Sequence, residues 1–209
     1  MADLFTLSAA DLAALLCSRV CHDIISPVGA INNGLELLDE GGADEDAMNL
    51  IRQSARNASA RLQFARIAFG AAGSAGMLID TGDAEAVTTA FLKNEKPELT
   101  WSGNRALLPK NKVKLLLNLV LVANAAIPRG GKLGVALEDV ETQPRFVLTV
   151  RGPMLRVPPK FLELHSGAAP EEPIDAHSVQ PYYTLLLARE AGMTISIHAT
   201  PDEIVLTAG

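Results

Sequence analysis

The sequence contains very few aromatic residues and very few cysteines. Aromatic side chains make up 4% of the 209 residues, and no cluster of Lys or Arg accompanies them. Because the formal net charge is −6, a nucleic acid is a poor partner for this chain. The two cysteines are too few for a disulfide framework, and we expect both to remain reduced.

The features of exported and membrane proteins are also missing. No run of about eighteen uncharged apolar residues occurs, which is the length that a membrane-spanning helix needs. The first segment, MADLFTLSAADLAALL, carries Asp3 where a signal peptide carries Lys or Arg. We therefore expect a cytoplasmic globular protein without a membrane partner, acting on proteins or small molecules.

Two long helices are predicted in the first third of the chain. From residue 8 to about residue 38, apolar residues recur at steps of three and four, which is helical spacing. The Gly-Gly pair in DEGGADED ends this helix, and a second helix is predicted over residues 44–69. Its apolar positions follow a heptad seam: Met48, Ile51, Ala55, Ala58, Leu62, Ala65 and Phe69. Because a single hairpin leaves apolar surface uncovered, we predict an antiparallel helical hairpin that forms a dimeric four-helix bundle with a second copy.

The segment GAAGSAG, residues 70–76, is interpreted as a flexible linker between two domains. We place the helical hairpin domain at residues 1–72 and a second domain at residues 77–209. Helices are predicted near residues 83–94, 110–127 and 180–191, and strands near 99–102, 132–138, 146–151, 193–198 and 203–207. The strands form mostly hairpin-like pairs, so the fold class is α+β, with an α/β sandwich after the hairpin.

The segment CSRVCHDIISPVGAINNGLELL, residues 17–38, places a histidine on the first helix. At about 100° per residue, His22 lies opposite the apolar stripe, so its side chain is predicted to face solvent. The residues that share its face are mostly small and uncharged: Ser18, Ile25, Ser26, Gly29, Asn33 and Glu36. Such a face suits docking of another protein over the imidazole, although an incidental surface histidine fits the same pattern.

The two cysteines before His22 do not have the spacing of a haem or metal site. Haem attachment requires C-x-x-C-H, whereas three residues separate Cys17 from Cys21. On a helix His22 is turned by about 100° from Cys21, and no fourth metal ligand is nearby. We interpret both cysteines as small packing residues of the hairpin.

The segment HDIISPVGAI resembles the H-box of histidine kinases, whose pattern is H-[ED]-[LI]-x-[TNS]-P-[LIV] on the first helix of a similar hairpin. The resemblance implies that His22 is the phosphoacceptor and that Asp23 is its acidic neighbour. It also implies that Ser26 is the polar residue four positions along and that Pro27 bends the helix.

The second domain is similar to the ATP-binding domain of these kinases, but three of its nucleotide-binding elements are altered. LLLNLVLVANAAIPRGG matches the N-box at Asn118, yet Val122 stands where the kinases have the Asn that holds Mg²⁺. TVRGPMLRVPPKFL matches the segment that contacts adenine, with changes at Gly152, Met154 and Arg156. The Gly-rich lid is replaced by HSVQPYYTLLLAREAGMTISI, which cannot bring backbone amides close to phosphates.

This combination resembles the ChpT-type histidine phosphotransferases of alphaproteobacterial phosphorelays. The resemblance implies a phosphohistidine intermediate on His22, no ATP binding and no cofactor on this chain, with Mg²⁺ supplied by a docked receiver domain. The implied partners are the receiver domain of a CckA-like hybrid histidine kinase and CtrA-like and CpdR-like response regulators, in cell cycle regulation.

Further residues near His22 are predicted to support transfer. Asp23 could hold the second ring nitrogen, although adjacent residues on a helix face each other poorly. Arg19 could reach the phosphoryl oxygens or could be a solvated helix charge, and Ser26 could bond a water molecule or the helix bend. The predicted docking surface includes an aromatic residue of the second helix that falls off the heptad seam and is expected to be exposed: Ile25, Gly29, Asn32, Asn33, Glu36 and Phe64.

Two other functions fit the same residues. One is an ATP-dependent histidine kinase with a divergent nucleotide site, which would label His22 from ATP alone. The other is a dimeric scaffold in which His22 is incidental, so that its loss would change no function.

Overall fold

The computed structural model describes residues 6–40, 45–70, 77–167 and 172–209. The predicted Gly-Gly break at residues 41–42 and most of the predicted linker lie outside these ranges. Two long helices come first, α1 over Ala9–Asp39 and α2 over Glu45–Ala68, within one residue of their predicted limits. Helix α1 begins where it does because Ser8 is its N-cap and accepts a hydrogen bond from the backbone N–H of Asp11.

The heptad seam predicted on α2 is only partly correct. Ala58 is buried, but Met48, Ala55 and Leu62 remain exposed in the single chain. The buried positions of α2 are instead Ala47, Ser54, Ala58, Phe64, Ile67 and Ala68. The reason is that α2 packs on α1 along one side and on helices of the α/β part along another, so two buried stripes replace one.

Helices α1 and α2 approach each other closely at Gly34, which is buried near the turn of the hairpin. A Cβ atom at this position would lie 2.6 Å from Cγ1 of Ile51, closer than carbon atoms can approach. The absence of a side chain at Gly34 therefore lets the two helices lie against each other.

The remaining chain forms a five-stranded sheet, a two-stranded sheet and four helices among the described residues. The helices are α3 (Thr81–Leu92), α4 (Lys110–Ala126), α5 (Pro159–His165) and α6 (Val179–Ala191). The strands are β1 (Leu78–Asp80), β2 (Pro97–Ser102), β3 (Leu107–Pro109), β4 (Gly131–Glu138), β5 (Arg145–Arg151), β6 (Ile195–Ala199) and β7 (Ile204–Ala208). The predictions missed β1, β3 and α5, because three-residue strands and a seven-residue helix are too short to show a period.

The larger sheet has the order β2-β4-β5-β7-β6, and only the β2–β4 pair is parallel. The predicted antiparallel pairs β4–β5 and β6–β7 are confirmed. Alternate residues of β4, β5 and β7 point into the core, as the apolar positions of these strands predict. Helix α4 packs against this face and is apolar around most of its circumference, so Leu115, Leu116 and Leu117 are fully buried.

Side chains of α4 tie the end of α2 to the α/β part. Asn118 donates through Nδ2 to the carbonyl oxygen of Ala68 at 3.0 Å, and Lys114 Nζ lies 3.5 Å from the carbonyl oxygen of Phe69. These carbonyls have no partner within α2 because they lie at its C-terminal end. Lys114 Nζ also donates to the Tyr183 hydroxyl at 3.2 Å. Burial lowers the pKa of Lys114 and raises the pKa of Tyr183 to about 12.

A second tie joins α2 to α3 through an aromatic pair. The rings of Phe64 and Phe91 stack with centroids 4.6 Å apart, and the Arg61 guanidinium lies 5.6 Å from the centroid of Phe91. Arg61 also pairs with Glu95 at 2.6 Å. The Phe64–Phe91 pair and the α4 contacts together hold the hairpin against the α/β part. They therefore determine which residues of the α/β part lie near α1.

Candidate functional site

His22 lies midway along α1 with its side chain 66% exposed, as the helical spacing predicts. Its Nδ1 is 3.5 Å from Oδ1 of Asp23, which is long for a hydrogen bond. The distance is long because the side chains of adjacent helix residues point in directions about 100° apart. A proton on Nδ1 directed at this carboxylate leaves the lone pair on Nε2 open to solvent. In that tautomer Nε2 is the ring nitrogen that carries the free lone pair.

Arg19 holds the carboxylate that faces His22. Its Nε donates to Oδ2 of Asp23 at 3.0 Å, one helical turn away. Both side chains are about one-third exposed, so this pair contributes to positioning more than to stability. The structure thus shows Arg19 in an ion pair that orients Asp23 toward the imidazole, and a contact of Arg19 with the phosphoryl oxygens stays a prediction.

The predicted docking surface on α1 is open. Ile25 is 71% exposed, and Ser26, Asn32, Asn33 and Glu36 are exposed as well. Gly29 is half-buried, and a Cβ atom built on it would meet no other atom within 4 Å. No hydrogen bond from the Ser26 hydroxyl is formed with any residue that the structure describes. Glu36 is the one charged residue of this surface, and the exposed side chains leave His22 accessible from this side.

The prediction that Phe64 belongs to an exposed docking surface is wrong. Its side chain is 2% exposed, because α3 places Phe91 against it. The prediction treated the hairpin as a separate unit, whereas the α/β part supplies the packing partner. An aromatic residue that breaks a seam was a signal of burial against another element, since such side chains gain most from removal from water.

His177 is a component of the site that sequence reasoning did not single out. Its ring lies against the His22 ring, with centroids 5.5 Å apart and planes at 78°. His177 is exposed and lies in the turn before α6, within the segment that replaces the kinase lid. In the sequence, the only indication of a role for His177 is its place in the segment HSVQPYYT. Its proximity to His22 could not be predicted, because it depends on how the α/β part packs against α1.

The turn that carries His177 is held by Asp175 and Ser178. The Asp175 carboxylate accepts hydrogen bonds from the backbone N–H of His177 at 3.0 Å and of Ser178 at 2.8 Å. It also accepts from the Ser178 hydroxyl at 2.6 Å. These hydrogen bonds, above all those from Ser178, lower the pKa of Asp175 because they favour the charged carboxylate. His177 is therefore fixed at the start of α6.

The positions that match the kinase nucleotide site serve internal packing in this structure. Asn118 donates to the carbonyl oxygens of Ala68 and Lys114, and Gln180 Nε2 lies 3.4 Å from its Oδ1. Val122, at the place of the Mg²⁺-binding Asn, is 1% exposed within the core. The Asn118 side chain thus has its hydrogen-bonding groups engaged by protein atoms.

The interpretation of the two cysteines as packing residues is wrong for the single chain, because Cys17 and Cys21 are both exposed. Both side chains lie on faces of α1 that neither α2 nor the α/β part covers. Across residues 6–40, 45–70, 77–167 and 172–209, no group of three or more His, Cys, Asp or Glu side chains is arranged to hold a metal ion.

Comparison with known proteins gives a consistent match over nearly the whole chain. Residues 81–203 match the family model of the histidine phosphotransferase C-terminal domain. The chain is 79% identical over 203 residues to a protein phosphotransferase, ChpT, of Brucella abortus (strain 2308), covering 97% of both proteins. A solved structure of a bacterial phosphotransferase is 77% identical, with a TM-score of 0.93 and 98% coverage of both chains. The Acinetobacter baumannii histidine kinase AdeS is 15% identical, with a TM-score of 0.48 over 90% of this chain and 95% of that one.

Proposed function

Because this chain belongs to the histidine phosphotransferase family and is a protein phosphotransferase, we propose that His22 carries the phosphoryl group between the aspartates of two receiver domains. The observation that supports this role is the His22 side chain, which is 66% exposed and whose Nδ1 faces Asp23. None of the other three histidines combines an open helix face with a carboxylate beside the ring.

The transfer step uses the lone pair of His22 Nε2. It attacks the phosphorus of an aspartyl phosphate, an N–P bond forms, and the P–O bond breaks with its electron pair leaving on the aspartate carboxylate. The proton on Nδ1 stays with the ring and is held toward Asp23, whose charge favours the developing positive imidazole. Delivery to a second receiver is the same step in reverse. The loose transition state requires mainly alignment, so the Arg19–Asp23–His22 arrangement serves as the positioning device.

We propose that this phosphotransferase acts without binding ATP. Asn118 is engaged by Ala68, Lys114 and Gln180, and Val122 has no polar atom with which to bind a metal. Turning Asn118 toward a nucleotide would leave the Ala68 carbonyl without its buried donor, which costs about 1 to 3 kcal/mol. Mg²⁺ for the transfer step is assigned in this proposal to the receiver domain that docks on α1.

The proposed partners follow from the 79% identity to the phosphotransferase of Brucella abortus. They are the receiver domain of a CckA-like hybrid histidine kinase as donor and CtrA-like and CpdR-like response regulators as acceptors, within cell cycle regulation. The open surface of Ile25, Gly29, Asn32, Asn33 and Glu36 is the docking surface in this proposal.

We also propose a homodimer in the cytoplasm, in which α1 and α2 pair with a second copy as a four-helix bundle. Both helices expose apolar residues in the single chain, among them Val28, Leu35, Met48 and Leu62. Among the described residues, α1 is long and apolar enough to cross a membrane by length and composition, with a mean hydropathy of 1.3 in its most apolar window. A bundle is the better match for this surface, because Arg19 and Asp23 form an ion pair halfway along α1.

The source of the phosphoryl group tests the proposed function. The purified chain would be incubated with a phosphorylated receiver domain of a hybrid histidine kinase and, separately, with labelled ATP and Mg²⁺. We expect acid-labile label from the receiver domain and none from ATP. Label arriving from ATP would contradict the proposal and favour a kinase, whereas no label from either source would favour a scaffold.

Ile25→Ala tests the docking surface. We expect transfer from the receiver at subsaturating concentration to slow by about tenfold, since a central apolar contact is worth more than about 1 kcal/mol. The melting temperature should stay unchanged, because Ile25 is 71% exposed. Initial transfer rates at several receiver concentrations would show the effect as a raised KM.

Two control variants sharpen the docking test. Leu107→Ala removes a comparably exposed apolar side chain, 63% exposed on β3, and should leave the rate unchanged. Gly29→Ala adds a methyl group that would meet no other atom within 4 Å, and alanine favours the helix. A slower transfer rate in this variant would therefore reflect weaker docking and not a disturbed fold. Equal rates for Ile25→Ala and Leu107→Ala would assign docking to another surface.

A further inference from the structure

His177 lies beside the proposed phosphoacceptor although it belongs to a different part of the fold. We propose that His177 is a positioning residue of the phosphotransfer site, whose protonated imidazole donates a hydrogen bond to the phosphoryl group carried on His22. This inference rests on the proposed function and adds to it a group from the segment before α6. It implies that the α/β part contributes to the stability of the phosphohistidine.

The geometry places the two rings within contact distance and leaves a donor available. The centroids of His22 and His177 are 5.5 Å apart and the planes cross at 78°, an edge-to-face arrangement. The ring nitrogens of His177 form no hydrogen bond with any residue that the structure describes, whereas its backbone N–H is bound by Asp175. A phosphoryl group attached to the His22 ring would therefore lie close to the His177 ring.

The turn before α6 holds His177 in place without restraining its ring. Asp175 accepts three hydrogen bonds within this turn, from the backbone N–H of His177 and from the N–H and hydroxyl of Ser178. The Ser178 N-cap position is itself 9% exposed, so the base of the turn is buried. A fixed backbone with a free imidazole is the arrangement that a positioning residue requires.

The charges around the two rings favour a protonated His177 once His22 is phosphorylated. Arg19 and Asp23 face the site from α1 and neutralise each other, and Asp175 is the charged group of the His177 turn. Helix α6 has no acidic residue in its first turn, and Arg61 of α2 is paired with Glu95. A phosphoryl group adds about two negative charges at neutral pH, which favour an imidazolium beside it. The resulting bond is charge-assisted and therefore stronger than a bond between neutral groups.

The test is the equilibrium between a phosphorylated receiver domain and phosphorylated His22, measured from pH 6 to pH 8.5. For His177→Ala we expect the transfer equilibrium constant at pH 6 to fall about tenfold relative to the wild type, since hydrogen bonds to charged groups are the stronger class. The difference should shrink as the pH rises and the imidazole loses its proton. The pH dependence of the receiver itself cancels, because the same receiver is used throughout.

Two further variants separate hydrogen bonding from packing. His177→Phe keeps a ring against His22 but has no donor, so it should behave like His177→Ala. His177→Lys keeps a cation at every pH of the series, so it should restore the equilibrium constant without the pH dependence. A His177→Phe variant that matches the wild type would overturn the proposal and leave packing as the role of the ring.

Failure of this inference is distinguishable from failure of the proposed function. If His177 has no role, label still reaches His22 and all variants give the wild-type pH profile. If His22 is not the phosphoacceptor, the acid-labile label persists when His22 is replaced, in the wild type and in the His177 variants alike. His198→Ala, an exposed histidine on β6, is the matched control and should leave the profile unchanged.

Discussion

His22→Ala is expected to lower phosphoryl transfer from a receiver domain by about a thousandfold or more, to the background of the assay. The variant loses the nitrogen lone pair that we propose attacks phosphorus, and the neighbouring imidazole, His177, lies in the turn before α6 and not on the docking face of α1. Arg19 is a permanent cation with no lone pair to offer. The Asp23 carboxylate is held by Arg19 and is not aligned for attack, and its product would be another acyl phosphate. Acid-labile label on the chain after mixing with phosphorylated receiver is the measurement.

The fold should survive this substitution. The His22 side chain is 66% exposed, its contacts are a 3.5 Å approach to Asp23 and the ring of His177, and alanine favours a helix. The melting temperature should therefore stay within about 2 °C of the wild type. His198→Ala removes a different exposed histidine and should retain full transfer. Label that persists on His22→Ala would assign the phosphoacceptor to another residue.

Phe64→Ala is expected to destabilise the chain by about 3 to 5 kcal/mol, the largest stability effect we predict. Phe64 is 2% exposed and stacks on Phe91 at 4.6 Å, so its removal leaves a cavity between α2 and α3. Arg61 and Glu95 beside this cavity would lose the apolar surface on which their pair rests. For a chain of this size, the melting temperature should fall by at least about 6 °C.

Gln63→Ala is the matched control for this prediction, because Gln63 is the preceding residue of α2 and is exposed. Its free energy of unfolding should change by less than about 0.5 kcal/mol. Phe64→Leu, which fills part of the cavity, should lie between Phe64→Ala and the wild type in urea unfolding. A Phe64→Ala variant as stable as Gln63→Ala would mean that α2 does not depend on α3 for its packing.

Local sequence features predicted the parts of the fold that depend on neighbours along the chain. The limits of α1 follow from apolar steps of three and four and from Ser8 as the N-cap. The pairs β4–β5 and β6–β7 follow from alternation on either side of short turns. The exposure of His22 follows from the same geometry, since a turn of about 100° per residue sets its direction relative to the apolar stripe.

The errors concern residues whose surroundings come from distant segments. Phe64 was expected on the surface because its partner Phe91 lies on another helix, in a part of the chain that we treated as separate. The seam of α2 split in two for the same reason, since α3 and α4 compete with α1 for its apolar positions. For Arg19 the sequence leaves open a contact with the phosphoryl oxygens or a solvated helix charge, because its position on α1 alone does not specify the group that its side chain contacts.

The sequence by itself determined the helical hairpin, the strand pairs β4–β5 and β6–β7, the exposure of His22 and the open face around Ile25. These depend on periodicity and on residue type, both of which are local properties. Only the tertiary structure decided that Phe64 is buried, that Asn118 holds the end of α2, and that His177 reaches His22. The physical reason is that each of these contacts joins segments far apart in the chain, where no spacing rule specifies which side chains will meet.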